Sequence, residues 1–494
     1  MPLEAGSPLH IEKVTDYIWQ IPRTGDMQVP CRIYADRETI ETLLKDYDEK
    51  LRTGGFTPAL KQLINVATLP GIVKASFGMA DIHPGYGFPI GGVGAFSMDE
   101  GVISVAGVGF DINCGVRVLK TPLFKEDVEP LKEQLANRLF RDIPCGVGST
   151  GEIALKEHEI DELLLEGARY VIKRGYGLEE DLVYTEEGGC VKDADPTNVS
   201  HRAKERQFRQ VGTLGSGNHY LEVQWVEEIY DEEAARAFGI EKNQVLIAIH
   251  CGSRALGHQI GIDYLSTLEA ASKKYSLPVK DRELVCAPIN SEEGWRYFTA
   301  VNCGINCAFA NRQAIAHLTR LAFTGITQVR PEEITQLYDV GHNTCKIETH
   351  TLEGSTKRLL VHRKGATRAF GPGRTEIPDK YRSVGQPLLV GGSMGTASYI
   401  LRGTEKGMEE CFGSAVHGAG RALSRVQAKK QWKGTEIIKE LKDKGIVIRA
   451  KSRSGVAEEA PGAYKDVDRV VEIMHQAGVN RKVARLRPMV CIKG

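Results

Sequence analysis

The sequence carries no surplus of charge: 64 Lys and Arg residues are balanced by 64 Asp and Glu, a formal net charge of zero. That balance excludes a protein that holds nucleic acid through bulk positive charge or a basic tail, while leaving room for a local basic groove. No apolar stretch approaches the ~20 residues that span a bilayer. Residues 1–14 lack a basic segment followed by an apolar one, so no secretion signal is read and the cytoplasm is the expected location. Internal repeats, heptads, low-complexity tracts and linkers rich in Pro, Gly or Ser are missing too. The cysteines number 11, an odd and scattered set with no CxxC pair, which reads as reduced and mostly buried thiols. No GxxxxGK[ST] loop occurs and no GxGxxG follows a strand, removing the Walker and Rossmann modes of nucleotide binding.

What is present is a globular composition, 41% hydrophobic and 26% charged, over 494 residues. Helical and strand-like patterns alternate without the regular βαβ spacing of a doubly wound sheet or TIM barrel. The expected fold is therefore α+β, one large mixed domain spanning 1–494 with inserted lobes. Helical spacing marks Leu131, Leu135 and Leu139, then Ile160, Leu163 and Leu164, and a long stretch at 293–322 that holds Cys303 and Cys307. Helices at 436–444 and 467–476 end on Gly445 and Gly478. Strands are expected at 102–105, 220–226, 245–249, 359–361, 388–390, 446–448 and 489–492.

Glycine is abundant, 53 of 494, about 11% against a usual ~7%. Six of the thirteen histidines have a glycine within two residues: His83, His219, His250, His258, His342 and His417. A strand that ends on His and turns on Gly presents the imidazole at the rim of a sheet. Within 107–117, Asp111 and Cys114 stand three apart in a Gly-bounded turn and can face one side. Carboxylate, thiolate and imidazoles together suit a borderline-soft divalent ion, and there are donors enough for two ions with sulfur as the bridge. The same residues also fit a buried thiol beside a turn carboxylate, and local spacing alone does not choose.

Three glycine-rich segments offer small residues and backbone donors for phosphates: 212–219, 391–398 and 414–421. Each also fits a tight turn with packing glycines. Basic clusters are local: Arg202, Lys204, Arg206 and Arg209; Arg363, Lys364, Arg368 and Arg374; an acid-free run at 411–435; and the last 22 residues. Four such runs on a neutral chain make a polyanion groove a reasonable expectation.

Taken in order, DINCGVR (111–117), GTLGSGNHYLE (212–222), HCGSRALGHQ (250–259), His342-Asn343, RKGATRAF (363–370), GSMGTAS (392–398) and HGAGR (417–421) resemble the RtcB family of RNA ligases. The likeness runs from residues 65–94, which include DIHPGYGFPIGG, to the C-terminal VCIKG. Gly341, Cys251 and Gly371 depart from the usual family pattern without removing a chemical group. The resemblance implies a fold of RtcB type and a GTP- and Mn²⁺-dependent ligase. Its reaction joins an RNA 3′-phosphate or 2′,3′-cyclic phosphate to a 5′-hydroxyl through a GMP-histidine intermediate and an RNA(3′)pp(5′)G end. It implies Asp111, Cys114 and His219 around one Mn²⁺, Cys114, His250 and His342 around a second, and His417 as the nucleophile. GTP contacts then fall on Asn218, His219, Tyr220, Leu221 and Glu222, on His342 and Asn343, on Gly391, Gly392, Ser393, Met394 and Ser398, on His417, Gly418, Ala419 and Gly420, and on Lys493. Donor–acceptor logic gives Glu222 the guanine N1 and N2 edge. RNA is the implied partner, as tRNA halves or other cleaved RNA, with archease as an activator that family members can use. Three other readings compete: a dinuclear phosphoesterase without ligase activity, a non-catalytic RNA-binding protein, and a Cys–His hydrolase around Cys114 or Cys251, which the neighbouring Asp and His donors disfavour.

Overall fold

Two large sheets face one another in a computed structural model that describes residues 9–494. The first eight residues, on which part of the leader reading rests, lie outside the described residues. One sheet has seven strands in the order Glu12–Thr15, Ile18–Ile21, Cys31–Tyr34, Ile72–His83, Ile90–Ser97, Ser355–Lys364 and Asn343–Leu352. The other has eight. Its path runs Thr335–Gly341, Gly115–Phe124, Gln244–Cys251, Tyr220–Ile229, Asn480–Lys493, Ser398–Gly403 and Pro387–Val390, and Val447–Ala450 adds in parallel to Asn480–Lys493. Nearly all other pairings are antiparallel, so the architecture is α+β and not a doubly wound sheet or TIM barrel, as the sequence pattern suggests.

Side-chain parity explains the layers. In Gln244–Cys251, Leu246 and Ala248 join Phe77, Ala95, Val118 and Val361 in the core between the sheets. Val245, Ile247 and Ile249 face the other way, into a core shared with Leu135 and Leu139 of the helix Lys132–Asp142. A strand buried on both faces reads as a continuous apolar run, which is why 245–249 stands out in the sequence. The outer face of the seven-stranded sheet packs on helices, among them the 36-residue Glu292–Thr327, buried along most of its length with Cys303 and Cys307 inside. All 11 cysteines are free thiols, and only Cys190 is even partly exposed. Glu157–Glu166, Gly434–Asp443 and Val467–Gln476 form where helical spacing placed them, and Gly445 and Gly478 take positive φ. Residues 102–105 are a strand only to Ser104 before a helical turn begins. Among the described residues no helix is long and apolar enough to cross a membrane.

Register decides what meets at the sheet ends. Gly115 pairs with Cys251 and with Gly341, His250 with Tyr220, and Tyr220 with Lys493, so five strands finish side by side. In the seven-stranded sheet His83 pairs with Ile90 and Asn343 with Lys364. His342 stands between Gly341 of one sheet and Asn343 of the other.

Candidate active site

The residues that finish these strands converge. Cys114 Sγ lies 3.3 Å from His219 Nε2 and 3.2 Å from His250 Nε2. His219 Nε2 is 2.8 Å from Asp111 Oδ2, and His250 Nε2 is 3.2 Å from His342 Nε2. Two donor sets result, Asp111, Cys114 and His219, and Cys114, His250 and His342, sharing one sulfur. Their chemistry asks for cations. His219 donates its Nδ1–H to the carbonyl of Leu214 at 3.0 Å, which directs Nε2 at the Asp111 carboxylate. Burial opposes charge on His219, yet Cys251, Cys114 and Asp111 around it raise its pKa, so the site favours positive charge there. Burial holds His250 and His342 well below the usual imidazole range, neutral with free lone pairs. It also pushes the Cys114 thiol up to about 12, so a cation is needed to hold the thiolate.

Two side chains on adjacent positions of Glu292–Thr327 hold the ligand-bearing segments from behind. Arg312 Nη1 donates to the carbonyls of Asn113 (2.7 Å) and Cys251 (2.8 Å), while its Nε donates to Asp339 (2.8 Å). Asp339 also accepts from Arg117 Nε at 2.7 Å, both buried. Asn311 accepts from the amides of Gly212 and Thr213 (2.8 and 3.1 Å) and donates to Gly252 O and Cys251 Sγ (both 3.1 Å). The amides of 212–214 are therefore already used, Leu214 donating to Pro144 O. The first half of the 212–219 turn is thus a frame for His219, and only residues beyond Leu214, among them the cavity-lining Asn218, are left to meet a phosphate.

His417 follows the short strand Ser414–Val416 and comes within 5.0 Å of His342, ring centre to ring centre. Its backbone N–H and its Nδ1 both contact Asp81 Oδ2, at 3.1 and 2.7 Å, and Asp81 is wholly buried. With Nδ1–H donated to Asp81, Nε2 is left with the ring's free lone pair. Gly420 at φ 74° lets this loop pass close to Asp81, whose carbonyl oxygen would stand 2.5 Å from an added Cβ. Asp81 was not singled out from the sequence. The signal available was its place in DIHPGYGFPIGG.

Asp111, Cys114, His250, His342 and His417 open into one cavity of about 480 Å³, nucleotide-sized, which His219 does not line. Its walls include Asn218, Tyr220, Glu222, Asn343, Gly391, Gly392, Ser393, Met394, Gly418, Ala419, Gly420 and Lys493. Glu222 is buried, which raises its pKa to about 7, and accepts from Gln224 Nε2 at 2.7 Å. Ser398 does not line the cavity; its hydroxyl accepts from the same Gln224 at 2.9 Å and so acts behind Glu222. Leu221 points into the opposite core, because alternate residues of Tyr220–Ile229 face opposite sides. In the 391–398 loop the Ser393 amide donates to Thr396 Oγ1 at 2.7 Å, so that donor is also spent. Glu459 and Tyr464 are further wall residues that motif reasoning missed.

The basic clusters divide. Arg363 and Arg368 are buried in ion pairs with Glu348 and with Glu186 and Glu187, so that set is core rather than a groove, and only Lys364 lines the cavity. Arg421 and Arg425 line it too, both paired with buried Glu459 at 3.2 and 3.3 Å. Near the C-terminus, Arg487 meets Glu227 at 2.9 Å and Arg485 pairs with both Glu227 and Asp468. Acids far away in the chain thus neutralise runs that look unopposed in sequence.

Fold and site together define an α+β protein in which two sulfur-linked donor sets that could hold metal ions share a nucleotide-sized cavity with a carboxylate-held histidine. The family model described as tRNA-splicing ligase RtcB matches residues 62–494. The chain is 50% identical over 488 residues to tRNA-splicing ligase RtcB of Methanococcus maripaludis, a match covering 98% of this chain and 99% of that one. The proteins of that name from Archaeoglobus fulgidus and Thermococcus kodakarensis are each 49% identical, over 488 and 487 residues, with the same coverage. The chain belongs to the RtcB family.

Proposed function

We propose that this protein is a cytoplasmic GTP- and Mn²⁺-dependent RNA ligase that joins a 3′-phosphate or 2′,3′-cyclic phosphate end to a 5′-hydroxyl end, with tRNA halves as the substrate class. The relatives' name, tRNA-splicing ligase, supports that class. One observation carries the reading: His417, held by Asp81, shares a cavity with both metal-binding sets. A phosphoesterase would use the metal ligands but gives an oriented imidazole beside a buried guanine-type carboxylate no task. The whole chain, 1–494, acts as one catalytic unit, since both sheets wall the cavity.

Asp111, Cys114 and His219 would hold one Mn²⁺, and Cys114, His250 and His342 the other. When bound, such ions neutralise phosphate charge and lower the pKa of water toward neutrality. The remaining work belongs to the chain. Glu222 accepts from the N1–H and N2–H of guanine. His417 presents Nε2 to the α-phosphorus of GTP; the N–P bond forms and pyrophosphate leaves, while Asp81 keeps the Nδ1 proton and balances the developing charge. A 2′,3′-cyclic end is first opened by water, the P–O2′ bond breaking to leave a 3′-phosphate and a 2′-hydroxyl; the N–P bond of His417 then breaks as GMP passes to that 3′-phosphate, giving RNA(3′)pp(5′)G. The 5′-hydroxyl attacks that activated phosphate and GMP departs.

The test is the joining of two synthetic RNA strands, one ending in a 2′,3′-cyclic phosphate and one in a 5′-hydroxyl, with GTP and Mn²⁺. A joined product that needs both, and whose dependence on added archease is scored in parallel, is expected. Opening of the cyclic phosphate with no joining, with or without archease, refutes the ligase reading in favour of a phosphoesterase.

A further inference from the structure

The cavity wall contains two partly exposed aromatic rings, Tyr86 and Phe110, that neither the metal nor the nucleotide reading uses. Their centroids are 5.5 Å apart, and Phe110 meets the exposed imidazole of His258 at 5.7 Å with an interplanar angle of 41°. Phe110, next in sequence to the metal ligand Asp111, is the middle ring of a row, with Tyr86 edge-on to it at 67° on one side and His258 at the surface on the other.

The row is built. Gln62, fully buried, accepts from the Gly85 amide at 3.0 Å and donates to the Gly85 carbonyl at 2.5 Å. Glu283 accepts from the Gly87 amide at 2.9 Å, and Lys364 donates to the carbonyls of Tyr86 and Phe88, both at 2.8 Å. Gly87 needs its positive φ of 62°, and a Cβ there would meet the Glu283 carbonyl oxygen at 2.6 Å. On the other side, Gly261 lets the helix Arg254–Lys274, which carries His258, lie against Phe110; a Cβ would come within 2.7 Å of the ring. Three buried or half-buried polar side chains thus fix the Tyr86 loop, yet its ring stays in contact with solvent. An ordinary core aromatic would be covered, and an ordinary exposed loop would not be pinned so often.

Charge beyond the row is complementary to a nucleic-acid backbone. Arg202, Arg206 and Arg209 are exposed and make no ion pair among the described residues. Arg206 donates to Gln259, the neighbour of His258, at 2.7 Å.

We propose that Tyr86, Phe110 and His258 form a stacking platform for the unpaired 3′-terminal nucleobase of the RNA strand whose phosphate reacts at the cluster, with upstream phosphates on Arg202, Arg206 and Arg209. The assignment rests on the ligase reading. It goes to the 3′ end because a base lies one sugar away from its own 3′-phosphate, and Phe110 is the residue next to Asp111. Stacking accepts any base but requires a single-stranded end, so the platform would favour frayed or looped breaks over paired ones without reading sequence.

The probe is a single-stranded RNA 3′-phosphate with 2-aminopurine as its terminal base, mixed with the full chain and Mn²⁺ in the absence of GTP. Its fluorescence is expected to be quenched on binding. Tyr86→Ala and His258→Ala should each weaken binding about tenfold, an abasic terminal nucleotide should do the same to the wild type, and Tyr86→Phe should restore binding. His258 is exposed, so its substitution does not depend on refolding of a core. An abasic end that binds as tightly as a full one, or quenching seen only with 2-aminopurine at a 5′-hydroxyl end, overturns the proposal. GTP labelling of the wild type separates the two claims. Labelling with no platform effect sinks the platform alone, and platform effects without labelling sink the ligase reading and leave a stacking site.

Discussion

Replacing Asp81 by Asn keeps the shape of the side chain that holds His417 and removes its charge. Two donors, the His417 amide and Nδ1–H, share Oδ2 at 3.1 and 2.7 Å in a fully buried setting. A hydrogen bond to a charged group is worth about 1.5–3 kcal/mol and one to a neutral group about 0.5–1.5 kcal/mol. The change should then cost about 1–2 kcal/mol in the step that puts positive charge on the ring, roughly a 5- to 30-fold slower reaction. Asp81→Ala leaves both donors without an acceptor, at about 1–3 kcal/mol each, and frees the ring to rotate, so a loss of about 100-fold or more is expected. The assay is the initial rate of covalent labelling by α-³²P-GTP. A parallel reaction joins a prepared RNA(3′)pp(5′)G end to a 5′-hydroxyl, which does not call on His417 as a nucleophile and should suffer far less. Equal losses in the two reactions, or no loss in labelling, would refute the orienting role.

Other outcomes follow from the same geometry. Burial raises Glu222 to about 7, so below neutral pH a proton must leave before guanine can be accepted; GTP affinity should climb between pH 6 and 8 and level off above. Calorimetry showing equal affinity at both pH values, or the same slope in Glu222→Gln, would contradict this. Since burial keeps Cys114 protonated up to about 12, binding of Mn²⁺ should expel its proton, and Cys114→Ala should lower proton release by one while weakening both ions, as read by titration in buffers of different ionisation enthalpy. Arg312→Met removes one partner of buried Asp339 and two further hydrogen bonds behind the cluster; a loss of about 3–5 kcal/mol, seen as a lower denaturation temperature, is expected, and an unchanged temperature would show that Arg117 suffices.

Glycine-marked strand ends, as in His250-Cys251-Gly252, group the candidate donors, but local spacing alone does not choose a metal site, and the two donor sets come from the family resemblance. Asp81 was not legible, because it lies in Ile72–His83, a strand whose pairing slips around Lys74 at φ 66° and again before His83, so no alternation announces it. Charge pairing was equally hidden. Arg363 finds Glu348 15 residues away and Arg368 finds Glu187 181 residues away, separations across which a run of like charge looks unopposed. The phosphate-nest reading of 212–219 loses the amides of 212–214 for a related reason. Glycine content reports permissive backbone, but whether the amides stay free depends on side chains such as Asn311 from a distant helix. Parity settled the finer points, placing Glu222 in the cavity and its neighbour Leu221 in the core behind.

Covalent capture of the nucleotide tests the account most directly. Incubated with α-³²P-GTP and Mn²⁺, the full chain should acquire a label that is acid-labile and alkali-stable, as a phosphoramidate is, and His417→Ala should abolish it. A chain that stays unlabelled, or a label that survives in His417→Ala, would contradict the claim that this imidazole carries GMP.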